Sequence, residues 1–116
     1  MRTAKIHIPV EHLEAVRESL VGLSAERGRT EEIEDLLGQI DGAADEPRPC
    51  ELTGSRAVLW GIVYDSFCVA AERLADDGNE YWRGRVAPEA ARARVAAVGV
   101  WLELLLALGD PPGVPG

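Results

Sequence analysis

Aromatic residues are scarce in this 116-residue chain: one Phe, two Tyr and three Trp. A core built here must therefore be mostly Leu, Val, Ile and Ala. Cysteine is scarcer still. Cys50 and Cys68 lack the close pairing of a metal knuckle and have no His cluster beside them, which argues against a structural zinc site. A disulfide between the two is left open by the sequence, but nothing in it suggests a secretory protein, so a reducing cytoplasm is the expected compartment. Basic residues fall short of acidic ones, 12 against 20, for a formal net charge of −8. Such a surface repels phosphate backbones and anionic bilayers, so neither nucleic acid nor a membrane is expected as a partner. Long apolar runs are missing too. The greasiest stretch, residues 95–108, carries Glu103 and is shorter than the roughly 20 apolar residues of a membrane span. Arg92 and Arg94 bound it on one side, and Gly109, Pro111 and Pro112 on the other. The first ten residues, MRTAKIHIPV, hold no apolar core of signal-peptide length. There is no Gly-rich phosphate loop, and His7 and His12 have no Ser or Cys at a spacing that would suggest a nucleophilic triad.

What is present is grease at helical intervals. Leu13, Val16, Leu20 and Leu23 recur every three or four residues between charged positions, which predicts a helix from Val10 to about Gly28. Thr30 is a good N-cap, followed by Glu31 and Glu32 where the helix dipole favours carboxylates. Ile33, Leu36, Leu37 and Ile40 supply the buried stripe of this second helix. Pro47 and Pro49 then predict a loop over GAADEPRPCEL, with Cys50 inside it. A long helix is expected from Thr53 or Ser55 to Gly78, apolar at Leu59, Trp60, Val63, Tyr64, Phe67, Ala70, Ala71 and Leu74, with Cys68 as a small core residue. GNEYWRGRV reads as its connector. Pro88 and Glu89 open the last helix.

That last helix decides where Glu103 points. At about 100° per residue, Val98, Trp101, Leu102 and Leu105 form its expected buried face, and Glu103 shares another stripe with Glu89, Arg92, Ala96 and Gly99. Glu103 is thus expected in water or against a neighbouring chain. Together these elements predict an all-α fold: an irregular, mostly antiparallel four-helix bundle with a short extended N-terminal arm. The arm takes residues 1–9, the helical domain residues 10–109, and a flexible Pro/Gly tail residues 110–116.

Several constellations invite functional readings. On the long helix, Asp65, Glu72 and Asp76 share one face and are the candidate ligands of a divalent cation, Mg2+ or Mn2+; a solvated acidic face is the alternative, and no cofactor is then needed. Asp76 and Asp77 lie near the expected helix end, where Arg83 and Arg85 are the nearest compensating charges. Tyr81 and Trp82, flanked by Arg83, are of the residue types that dominate binding hot spots, unless Trp82 folds back to close the bundle. Arg94 shares a face with Val98, Trp101 and Leu105, so its guanidinium must reach water or pair with Asp65 or Glu72.

The acidic pattern bears comparison with the all-α nucleotide pyrophosphohydrolases of the MazG type, which pair an ExxE motif on one helix with an ExxD motif on a later one to bind magnesium. Residues 31–34, EEIE, supply the first motif. Residues 72–76, ERLAD, give ExxxD, one residue too long, and the separation between the two exceeds the family's. That resemblance would imply a metal-dependent hydrolase; it rests on a few acids and the helical class.

The functional expectation from the residues themselves is a non-catalytic interaction or scaffold module that self-associates. Leu104, Leu106 and Leu108 add apolar surface outside the expected buried face of the last helix, and Ala96, Gly99 and Val100 would let another helix approach closely. A homodimer using Ala96, Gly99, Val100, Glu103 and Leu106 is the natural expectation. Two alternatives stand beside it: the metal-dependent hydrolase, and a small-ligand binder with its pocket between the helices that carry Trp60 and Trp101, where Tyr81, Trp82 and Arg94 are further candidate contacts.

Overall fold

The computed structural model describes residues 3–28, 30–43 and 45–112. The chain runs β1 (Thr3–Ile8), a single 3-10 turn (Val10–His12), α1 (Leu13–Arg27), α2 (Glu31–Ala43), β2 (Cys50–Ser55), α3 (Arg56–Trp82) and α4 (Pro88–Leu108). It is mostly helical, with four α-helices as expected, but it is not all-α. The N-terminal segment is not a free arm. It pairs antiparallel with β2, which replaces the loop expected around Cys50, in a register that sets Ile6 against Leu52 and Ile8 against Cys50. The physical cause is alternation: Ile6, Ile8, Cys50 and Leu52 are all buried, while Lys5, His7 and Glu51 face outward, the period of two that a half-buried strand requires. Pro47 and Pro49 end just before that alternation begins. The expected tail extends past Pro112, and its residues 113–116 lie outside the described residues, as do residues 1–2 of the expected arm.

α2 covers the free edge of β2 with side chains. Gln39 Oε1 accepts from the Thr53 backbone N–H at 2.9 Å while Gln39 Nε2 donates to the Thr53 carbonyl at 3.0 Å. Glu32 Oε1 accepts from the Ser55 N–H at 2.6 Å. These bonds satisfy backbone groups that a two-stranded sheet otherwise presents as an open edge. Thr30 caps α2 as its position suggested, its hydroxyl accepting from the Ile33 N–H. β2 then enters α3 without a loop: Ser55 is the last strand residue and also the N-cap, accepting from the Val58 N–H.

α3 continues past Gly78 and Asn79 to Trp82, absorbing most of the expected connector. Gly84, with φ of 74°, supplies the left-handed residue that ends it. The Gly84 N–H donates to the Tyr81 carbonyl and the Arg85 N–H to the Glu80 carbonyl, the paired bonds of a Schellman terminus. α4 starts at Pro88 as expected and packs back along α3 in the most extensive helix pairing of the fold. Its C-terminal carbonyls are taken by α3: Arg56 Nη1 donates to the Leu108 carbonyl at 2.9 Å and to that of Asp110, and Trp60 Nε1 donates to the Gly109 carbonyl at 3.3 Å.

The core is unevenly placed. Val16, Leu20, Ile33, Leu36, Ile40, Leu59, Ile62 and Val63 join the sheet residues in one cluster, with Trp101 and Leu108 as the fully buried members from α4. Phe67 and Leu105 pack against that cluster. From Phe67 to Val100 no residue is fully buried, so the far end of the α3–α4 pair projects from the body as a helical hairpin. The molecule is correspondingly elongated, 48 × 38 × 26 Å.

Candidate functional site

Two hollows flank α3 where it meets α1. The larger, about 600 Å3, is a groove between the start of α1 and the α3–α4 pair. Trp101, Ser66 and Ala97 are among the residues that line it, and Glu11, Glu14, Glu18 and Asp65 bring carboxylates to it. His12, at the end of the 3-10 turn, also lines it and is half-buried, its ring tilted against Trp101 at a centroid distance of 5.4 Å. The smaller hollow, about 370 Å3, lies between the later turns of α1 and the start of α3, beside Gly22 and Gly61. Asp65 lines both.

The expected metal ligands do not gather. Asp65 opens on the grooves, and Glu72 and Asp76 are exposed farther along the hairpin. A helix rise of about 1.5 Å per residue separates groups seven and eleven positions apart by roughly 10 and 16 Å, too far for one ion. Among the described residues no three His, Cys, Asp or Glu side chains are arranged to hold a metal.

Arg94 is paired, but with neither of the expected acids: its Nε donates to Asp77 Oδ2 at 2.7 Å. Because α3 runs on to Trp82, Asp77 sits well inside the helix opposite α4 rather than at its end. Arg83 and Arg85 pair with Glu80 instead, at 3.5 and 3.3 Å. Tyr81 and Trp82 pack edge to face, centroids 6.0 Å apart. Trp82 does not fold back: it is 87% exposed at the hairpin tip.

The outer side of α4 carries the other candidate surface. Ala96, Gly99, Glu103 and Leu106 are exposed as expected, and Val100 is half-buried. Leu102, expected in the core, is 46% exposed; it joins Val95 at 57% and Leu106 at 73%. α4 is apolar on nearly every side, so periodicity alone cannot choose which face meets α3. Leu104 lies against the core and Leu108 is buried, the reverse of their expected exposure.

Both cysteines are free thiols, Cys50 buried and Cys68 half-buried. Burial, and then the Glu46 carboxylate, push the Cys50 thiol above its ordinary value, which keeps it protonated and unreactive. A hydrogen bond with Cys68, and then its charge, raise the Tyr64 phenol; Tyr64 is itself stacked on Trp60 at 5.0 Å. Among the described residues no helix is long and apolar enough to cross a membrane. Comparison with protein-family models, with curated proteins and with solved structures finds no match to this chain.

Proposed function

We propose that this chain is a non-catalytic interaction module that forms a homodimer through the outer face of α4, in the cytoplasm, where its two thiols stay reduced. One observation carries the reading. Val95, Gly99, Leu102 and Leu106 are all exposed and follow one another at intervals of four, three and four, the spacing of a helix–helix seam. At about 100° per residue they fall within a narrow stripe. The stripe is self-complementary. An antiparallel crossing centred between Gly99 and Leu102 lays each Leu102 over the other copy's Gly99 and each Val95 against the other copy's Leu106. A Cβ added at Gly99 would meet nothing within 4 Å inside the monomer, so the missing side chain serves no packing there, although glycine in a helix costs about 1 kcal/mol relative to alanine. Ala96 and Glu103 flank the seam, and Val100 lies at its margin.

Sedimentation equilibrium tests this. The expected outcome is a dimer at micromolar concentration that Leu102→Glu converts to a monomer with an unchanged circular-dichroism spectrum. A wild-type chain that stays monomeric up to millimolar concentration overturns the reading.

A further inference from the structure

We infer that the outer edge of β1 takes an extended, acidic segment of a partner protein as a third strand. The backbone carries the inference. In an antiparallel strand the N–H and C=O of one residue point to the same side, and those of the next residue point to the other. Thr53 turns both groups away from β1, since Gln39 of α2 bonds both of them, and Ser55 turns its N–H to Glu32. Cys50, Leu52 and Gly54 therefore make the ladder with Ile8, Ile6 and Ala4, their partners in the register. That leaves Thr3, Lys5 and His7 with N–H and C=O pointing out from the opposite edge of the sheet. All three residues are exposed, whereas Ile6 and Ile8 are buried. Among the described residues nothing hydrogen-bonds these outward groups.

The two edges of the sheet are thus treated differently. α2 caps the edge of β2 side chain by side chain. The edge of β1 has no bulge in its register and no proline between Thr3 and Ile8, two of the devices that spoil an edge for pairing. A row of unpaired strand groups is matched by another extended backbone. The side chains decide which one. On the outward face Lys5 and His7 share a single carboxylate, Glu51, at 3.2 and 3.3 Å, and each base keeps more than half of its side-chain surface exposed. An incoming strand sets every second side chain beside them, where a carboxylate meets two bases and no acid of β1. A second copy of the chain is the poorer occupant. In the two face-matched antiparallel registers with most overlap, β1 paired with itself sets Lys5 against Lys5 or against His7, and like charges directly opposite are unfavourable.

The edge belongs to β1 and the proposed dimer seam to α4, so neither proposal rests on the other.

The test uses the capped peptide Thr-Val-Glu-Val-Glu-Val-Thr and its counterparts with Gln or Lys in place of both Glu residues. Binding to the full chain is followed by calorimetry and by backbone amide signals in 15N-resolved NMR. In the free chain the Lys5 and His7 N–H groups are expected to exchange with solvent faster than those of Ile6 and Ile8. The acidic peptide should slow exchange at Lys5 and His7, and should bind about three- to tenfold tighter than the Gln peptide, with the Lys peptide weakest. Lys5→Glu, its fold checked by circular dichroism, should reverse the order of the acidic and basic peptides. N-methylation of both Glu residues of the peptide removes the donors that face Lys5 and His7 and should abolish binding. Leu102→Glu should not change it. Slow exchange at Lys5 and His7 in the free chain, equal affinity for the three peptides, binding that survives N-methylation, or no binding of the acidic peptide at millimolar concentration overturns the proposal. So does a Leu102→Glu chain whose Lys5 and His7 amides become protected as its own concentration rises, the mark of a second copy on this edge.

Discussion

The two ends of α3 are made of the same helix but live in different surroundings. Its first turns are buried on several sides by β2, α1 and α4, with Leu59, Ile62 and Val63 fully inside. Its last turns have only α4 for company, and nothing there is fully covered. The difference shows that helix formation and core formation are separate achievements in this chain. The body is held by dense aliphatic packing, and the projecting hairpin by half-buried contacts, the Arg94–Asp77 pair and the Schellman terminus at Gly84. A region held so lightly opens locally at low free-energy cost, and its exposed apolar residues are free to meet another surface.

The comparison is most sharply tested by truncating one leucine in each region. Leu52→Ala, in the fully buried sheet, should cost about 2–5 kcal/mol of unfolding free energy. Leu74→Ala, half-buried in the hairpin, should cost less than half as much, since less area is lost and no sealed cavity forms. Denaturant unfolding measures both, and equal losses would erase the distinction between body and hairpin. Hydrogen exchange offers a second view: amides of residues 67–82 and 88–100 should exchange faster than those of α2 and the start of α3.

Removing the edge cover comes next in size. Gln39→Ala leaves the Thr53 N–H and carbonyl without their side-chain partner, and about 1–2 kcal/mol should be lost. In the hairpin, a double-mutant cycle of Arg94→Ala and Asp77→Ala should return a coupling of only about 0.2–1 kcal/mol, because both side chains keep contact with water. A coupling as large as the Gln39 effect would mean that the hairpin is pinned as firmly as the sheet.

The smallest effect is electrostatic and lies on the outer face of the sheet. Lys5 at 3.2 Å, by hydrogen bond and charge, and then His7 at 3.3 Å hold Glu51 below its ordinary value. A depressed carboxylate stabilises the fold at pH above its unfolded value and loses that contribution as pH falls through its folded value. The melting temperatures of wild type and Glu51→Gln should therefore differ slightly at neutral pH and converge in acid. A difference that persists at pH 2 would assign the effect to something other than ionisation.

Much of the helical layout is legible in the residues. Thr30 and Pro88 mark starts that hold, Ser55 begins the long helix, and Ile33, Leu36, Leu37 and Ile40 are buried as their spacing suggests. β2 is hidden because its alternation spans only Cys50 to Ser55 and follows two prolines, so the breakers dominate the local signal. The end of α3 is misread because Gly78 resembles a stop, whereas the left-handed terminus belongs to Gly84. Leu102 is misplaced because a helix that is apolar all round has no single period to read. The groove is the least legible feature. Its carboxylates come from the 3-10 turn, α1 and α3 and its indole from α4, and nothing in their spacing along the chain announces that they will share a cavity.

The pairing of β1 with β2 fixes an order of events at the ribosome. The first strand to emerge cannot find its mate until both intervening helices and the proline-containing connection have been synthesised. Until then Ile6 and Ile8 have no strand to pair with. Sheet closure thus joins residues made before α1 and α2 to residues made after them, and a ribosome-stalled chain ending before Leu52 should show residues 3–8 open to protease.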